Sequence, residues 1–352
     1  MSAPAVVVGV GARTAIGLTA MQTTFLLRAS AYGMREAPLA DENGDPVTMC
    51  YLPTIDPQLA GAPRASRLAV PAALEALGSL GPAARELRLG LVIGLDESLA
   101  AQGADSRAQA SVVAGEIQQH VRELAMPVSL EISTRGPAAA GFFLPGVFDA
   151  LARGSIDAAL IGGVHTDYDP VRVDALTKSG RLFRPDNIDA VIPGEAAAFA
   201  VLMRPEVARR FGLTARAEIH SVATAFEKAR PDNDEPAFEA IGLTVAVRRA
   251  GAPLASEGRR AGWMLTDLAH ETLRLFEIQA MSVRTRNLWC EPQLCDAPAQ
   301  RLGYLGAATM PLHLVIAAES FRRGLAPHPV AMSMAGSDSG ERAAMLLSAP
   351  GA

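Results

Sequence analysis

Lysine is nearly missing from this chain, and that bounds its chemistry at once. Of 32 basic residues only Lys178 and Lys228 are lysines, and the rest are arginines. Arginine keeps its proton at ordinary pH, so a mechanism that needs a titrating or covalently reactive amine has two candidates. Cysteine is scarce too. Cys50, Cys290 and Cys295 form no disulfide framework, which fits a reducing cytoplasm. Cys290 and Cys295 stand five apart with no histidine at ligand spacing nearby, so neither a metal nor a cofactor is expected. Residues 1–13 have no basic region ahead of their apolar strand, unlike a signal peptide. No uninterrupted apolar run approaches the roughly 18 residues of a membrane span. With a net charge of −5 and no basic block, nucleic acid is not an expected partner.

What remains is a chain of 352 residues, 49% hydrophobic and 20% charged, with ample core for two modest domains or one large layered one. Apolar periodicity predicts helices over 19–28, 66–77, 106–124, 238–249, 273–281 and from about 308 to 323. Strands are predicted at 5–8, 89–95, 128–132, 157–161, 199–203, 215–222, 263–266, 330–334 and 342–348. The stretches 38–63, 166–191 and 226–235 read as loops, the second of them mobile. Gly9-Val10-Gly11 after the first strand imitates a dinucleotide loop, but the last glycine of G-x-G-x-x-G is replaced by Thr14. That glycine is needed for close helix–strand packing, so the dinucleotide reading is set aside.

One internal echo points to a duplicated architecture. Gly194-Glu195-Ala196-Ala197-Ala198-Phe199-Ala200-Val201-Leu202 is matched near the end by Gly340-Glu341-Arg342-Ala343-Ala344-Met345-Leu346-Leu347, each after a loop of small residues.

The most telling stretch is 133–163. A short strand leads into the small-residue turn Thr134-Arg135-Gly136-Pro137-Ala138, then an apolar helix, then a strand closing on Gly162-Gly163. It resembles the active-site segment of the β-ketoacyl synthases, members of the thiolase superfamily, and the resemblance extends to the first strand, the Gly-Glu-Ala-Ala-Ala hairpin and the C-terminal glycine turns. It implies an α/β fold of five layers, αβαβα, built from two similar halves, 1–205 and 206–352. In that family a cysteine sits at the helix N-terminus, where unpaired N–H groups and the helix dipole favour a thiolate. Here its place falls on Pro137, a comfortable first-turn residue without a nucleophile.

The family's two histidines stabilise a thioester enolate and its oxyanion. The place of the first, after Met264-Leu265-Thr266, holds Asp267, and that of the second, in Gly303-Tyr304-Leu305-Gly306, holds Tyr304. A carboxylate at 267 would repel a developing enolate. The family's lysine falls near Ala299-Gln300, where this chain has none, and its closing loop is Ala335-Gly336-Ser337-Asp338-Ser339-Gly340. The expected protein is therefore a ketosynthase homologue without condensing activity, acting as a partner, scaffold or ligand-binding subunit. Family precedent offers a chain-length-factor-like subunit or an accessory protein of a bacterial secretion cluster. An acyltransferase or thioester hydrolase using Asp267, His270, Tyr304 and Ser337 is the alternative.

Expected partners are a second copy, a related synthase, an acyl carrier protein or a secretion-cluster protein. The resemblance implies that the strand 157–161 pairs across a two-fold axis. His165 is expected on a loop at the pocket edge or dimer seam, and His313 in the core. Asp267 and Glu195 also suit structural carboxylates near turns.

Overall fold

A computed structural model describes residues 5–100, 104–231 and 238–352. Parts of two expected features, residues 1–4 of the first segment and 232–235 of the loop 226–235, lie outside the described residues.

The first half runs β1 (Ala5–Thr14), α1 (Ala20–Arg28), the hairpin of β2 (Met34–Ala40) and β3 (Pro46–Cys50), α2 (Gly61–Gly78), β4 (Arg88–Gly94) and α3 (Ala104–Leu124). It continues with β5 (Met126–Ser133), α4 (Ala139–Ala152), β6 (Ala158–Thr166), α5 (Pro170–Lys178) and β7 (Glu195–Met203). After α6 (Pro205–Arg210) come β8 (Ala217–Phe226), α7 (Ile241–Ala250), α8 (Ala252–Ser256), β9 (Ala261–Leu265), α9 (Thr272–Arg284) and β10 (Trp289–Asp296). The chain closes with α10 (Ala299–Leu302), α11 (Thr309–Arg322), β11 (Val330–Gly336) and β12 (Glu341–Ser348).

The strands follow the order β10-β9-β11-β12-β8-β1-β7-β6-β4-β5. Outward from the short β1–β8 seam, the two halves have one plan. In each, the seam strand pairs antiparallel with the closing strand (β1 with β7, β8 with β12), which pairs antiparallel with the next. The outer pairs are parallel: β6–β4–β5 in the first half and β11–β9–β10 in the second. The echoed sequences at 194 and 340 are these equivalent closing strands.

Helices α4 and α11 form the middle layer, and each packs on strands of the opposite half: α4 on β12 and β8, α11 on β7 and β1. One apolar cluster surrounds them, a second lies under α2 and α3, and a third lies under α7 and α9. That gives the five-layer αβαβα arrangement.

Local chemistry explains several elements. Thr19 caps α1 by accepting from the Gln22 N–H, and Asp169 caps α5 ahead of Pro170. Gly9 and Gly11 lie inside β1, where an added Cβ would come 2.2 Å from the Ala76 carbonyl and 2.1 Å from that of Ala72. They admit the α2 backbone, which accounts for the glycines without a nucleotide.

Four expectations are corrected. The Pro/Gly/Asp-rich stretch 38–63 contains the end of β2 and all of β3, joined by a turn in which Asp41 accepts from Asn43 and Asp45. The stretch 166–191 contains α5. Residues 289–296, given no element from sequence, form β10. The strand 157–161 is not an edge, because β6 lies between β4 and β7 and bonds to both. Its apolar composition reflects burial on two faces. The free edges are β5 and β10. Among the described residues no helix is long and apolar enough to cross a membrane.

Candidate functional site

The turn between β5 and α4 is built as the sequence implied, and it is already occupied. Gly136, at φ 57°, opens a single 3-10 turn, Gly136–Ala138, that feeds α4. Pro137 is buried in it. The Ala138 N–H donates to Ser337 Oγ at 3.0 Å. Ser337 in turn donates to the Arg135 carbonyl. The protein has capped its own helix start with a loop from the other half, so Pro137 and Ser337 do meet, but as a structural contact.

Asp267, just past β9, accepts from the Gly336 N–H at 2.8 Å. Burial raises its pKa, and the neighbouring Arg274 pulls the other way. Arg274 holds Glu277 at 3.2 Å, the Gly336 carbonyl at 2.7 Å and Asp338 at 3.2 Å. Arg342 reaches the other oxygen of Glu277, and Arg181 bridges Glu271 at 2.8 Å and Asp338 at 2.6 Å. Four carboxylates thus face three guanidiniums where the resemblance places an enolate-stabilising histidine.

Tyr304 points its hydroxyl at Glu97, 3.4 Å away, and presents its ring edge-on to His165. Burial, reinforced by Glu97, raises the phenol pKa well above its ordinary value. Glu97 accepts from the Asp338 and Ser339 N–H groups at 3.0 and 2.9 Å and from Ser339 Oγ at 2.7 Å. Burial and the nearby Asp338 raise its pKa.

His165 is corrected. It is fully buried at the end of β6, with Nδ1 2.7 Å from Asp96 and Nε2 3.0 Å from Asp167. These are close charge contacts rather than aligned hydrogen bonds. Arg172 adds a second cation, 3.1 Å from Asp167. Burial alone would depress the imidazole, but the two aspartates outweigh it and raise its pKa to about 9. Gly306 makes room for the ring, since an added Cβ there would lie 2.3 Å from Nδ1.

A cleft of about 1050 Å³ opens beside this cluster, lined among others by Glu97, Ile132, Phe142, Arg172, Tyr304 and Asp338. Phe143 lines it as well, whereas Pro137, Asp267 and Ser337 do not. His270 stands apart. Its ring lies 6.1 Å from that of Phe183, burial lowers its pKa, and among the described residues no hydrogen bond joins it to Asp267 or Tyr304. His313 is a core residue 3.0 Å from Ser333, depressed by burial to about 3. Glu195 is a buried structural carboxylate held by Arg64, Thr166 and the Leu52 N–H. Lys178 sits on the surface of α5 against Asp174. Among the described residues no cluster of three potential ligands could hold a metal.

Sequence reading missed Asp96 and Glu97, and named Asp338 only as a member of the closing loop. The available signal was Asp-Glu placed directly after a buried strand, facing the same end of the sheet as the Pro137 turn.

No family model matches the sequence, and no curated protein matches it. Solved structures do. The ishigamide ketosynthase/chain length factor superposes with a TM-score of 0.82 at 20% identity, covering 100% of both chains. A type II PKS ketosynthase in complex with its acyl-carrier protein gives a TM-score of 0.80 at 13% identity, covering 99% of this chain and 100% of that one. The ketosynthase from module 6 of the bacillaene synthase of Bacillus subtilis 168 gives 0.76 at 14%, covering 98% of this chain and 72% of that one.

Proposed function

From a chain that has the thiolase-like fold of the ketosynthases, we propose a non-condensing subunit that works by pairing with a related chain, in the manner of a chain length factor. The observation that carries this is the Pro137 turn. The nucleophile's place holds proline, and the N–H beside it is spent on Ser337. The other two matching places point the same way, since Asp267 is tied to Gly336 and Tyr304 to Glu97. Groups that act together in catalysis lose most of their effect when one is removed, and here all three are exchanged.

The pairing surface in this reading is the β5 edge. Met126, Val128, Leu130 and Ile132 alternate along it with exposures of 66%, 52%, 37% and 38%. An exposed apolar edge of this kind invites another strand. The neighbour solved with its acyl-carrier protein makes a carrier a reasonable further partner.

Two measurements test the reading. Intact-mass spectrometry after incubation with acyl thioesters should show no stoichiometric adduct. An adduct mapped to Cys290, Cys295 or a serine would overturn it in favour of an acyl-transfer enzyme. Light scattering at micromolar concentration, alone and with a co-expressed synthase, should show a species larger than 36.8 kDa. A monomer under both conditions would remove the pairing role.

A further inference from the structure

Along the sequence Cys290 has no histidine near it, but the fold supplies one. His328, 38 residues on and just ahead of β11, brings Nε2 to 3.6 Å from the Cys290 Sγ. The ring is fixed on its other side. Nδ1 accepts from the Gly262 N–H at 3.2 Å and from the Val330 N–H at 3.1 Å. A proton on Nδ1 would gain the Val330 carbonyl at 3.1 Å but would face both of those N–H groups. Nδ1 therefore keeps its lone pair, and the ring proton stays on Nε2, against the thiol. Gly262 also makes the seat, since an added Cβ there would lie 2.4 Å from the ring carbons Cγ and Cδ2.

The other two thiols are held back. Burial pushes Cys50 up to about 12. Cys295 is raised as well, by desolvation first and then by the neighbouring Asp296, with the Thr266 hydroxyl 3.8 Å away acting against them. Among the described residues Cys290 alone of the three faces a ring N–H, and it is half-buried, within reach of a reagent. It lies near the start of β10, at the opposite end of the strand order from β5, and neither member of the pair lines the cleft.

We propose that Cys290 and His328 form a thiol-exchange site that takes a low-molecular-weight disulfide, independently of the pairing role. Cys290 gives its proton to solvent, and the thiolate accepts a hydrogen bond from Nε2–H. It then attacks one sulfur of the disulfide. A bond forms between Sγ and that sulfur, the reagent's own S–S bond breaks, and the departing thiolate takes a proton from solvent. Cys290 is thereby oxidised, the departing half of the reagent is reduced, and a free thiol reverses the step. Exchange at sulfur develops no oxyanion, so the pair needs none of the donors that an acyl transfer would require. The site is thus compatible with a chain that accepts no acyl group.

The test treats the full chain with glutathione disulfide under native conditions and maps the adducts by peptide mass spectrometry. Cys290 should form the mixed disulfide about tenfold or more faster than Cys295, the size expected of one hydrogen bond to a charged sulfur. That ranking runs against exposure, since Cys295 is the more open of the two. His328→Ala should remove the advantage, and His328→Gln, which keeps an amide donor, should restore part of it. Cys295 is the internal reference in each variant. If the alanine variant fails to fold, the ranking of the two thiols in the parent decides the matter. Equal or slower exchange at Cys290, an unchanged rate in His328→Ala, or acylation of Cys290 by an acetyl thioester as fast as the exchange would overturn the proposal.

Discussion

The two halves share one strand plan and part company at their outer edges. The second half ends in β10, where Glu291, Pro292 and Asp296 supply charge and a missing N–H, and Leu294 is its one large apolar residue in the open. The first half ends in β5, whose charge and proline, Glu131 and Pro127, fall on the other face from an open stripe of four apolar residues. Guarding an edge with charge and proline prevents sheet-to-sheet association. One edge is guarded and its counterpart is bare, so under the proposed pairing role the bare one is the edge to be covered. Strand order thus moves the proposed pairing surface to β5, where the resemblance had pointed to β6.

The largest effect should come from equalising the edges. Val128→Lys with Leu130→Lys should weaken pairing by about 5 kcal/mol or more, some thousandfold or beyond, because unpaired charges would be buried in the new interface. Sedimentation should then report a monomer. The matching pair on β10, Gln293→Lys with Leu294→Lys, should leave the mass unchanged, and a change there would break the contrast.

Next come the two glutamates that start the closing strands. Glu195 is sealed from solvent against Arg64 at 2.7 Å, whereas Glu341 meets the half-exposed Arg135 at 3.0 Å. Arg64→Leu should cost about 3–5 kcal/mol in denaturant unfolding, because it strands a buried carboxylate. Arg135→Leu should cost about 1 kcal/mol or less.

A third contrast is titratable. His165 faces Ala196 across the first closing strand, and the corresponding place across the second, facing Arg342, is Gly336. The folded pKa of His165 lies above its unfolded value, so its contribution is complete below about pH 6.5 and is lost as pH rises through about 9. That displacement is worth on the order of 3 kcal/mol. Urea midpoints of the parent should fall across this window, and those of His165→Gln should stay nearly flat. A parallel decline in both would sink the assignment.

The smallest effect is expected at the nucleophile's place. Pro137→Cys should yield no measurable condensation in a malonyl-transfer assay, because Ser337 still caps the adjacent N–H and Asp267 stays in place. Slow self-acylation, read by mass, is the most it should gain.

Much of this was legible in the residues. The echo of the closing strands and the Gly136-Pro137 turn both follow from short contiguous stretches, and local sequence reports on local structure. Strand β10 was not legible, because Pro292 and two polar flanks mask a pattern that exists only through pairing with β9. The burial of His165 was hidden for a different reason: Asp96 reaches it from beyond the end of β4, and Arg172 on α5 joins the same two aspartates, Asp96 and Asp167. Glu97 was invisible until the loop at 338–339 came to rest on it. Long-range charge pairing leaves no periodicity behind.

The crossing of the middle helices has a last consequence, for how the chain can be divided. Because α4 rests on β12 and β8 while α11 rests on β7 and β1, each half lends the other part of its interior. A protease nick at the exposed Gly212 or Thr214 should therefore leave one particle under native conditions, releasing its fragments only in denaturant. By the same logic, neither fragment made alone should yield a stable product, while the two produced together should reassemble. Duplication supplied two copies of the plan, and the exchange of helices made them inseparable.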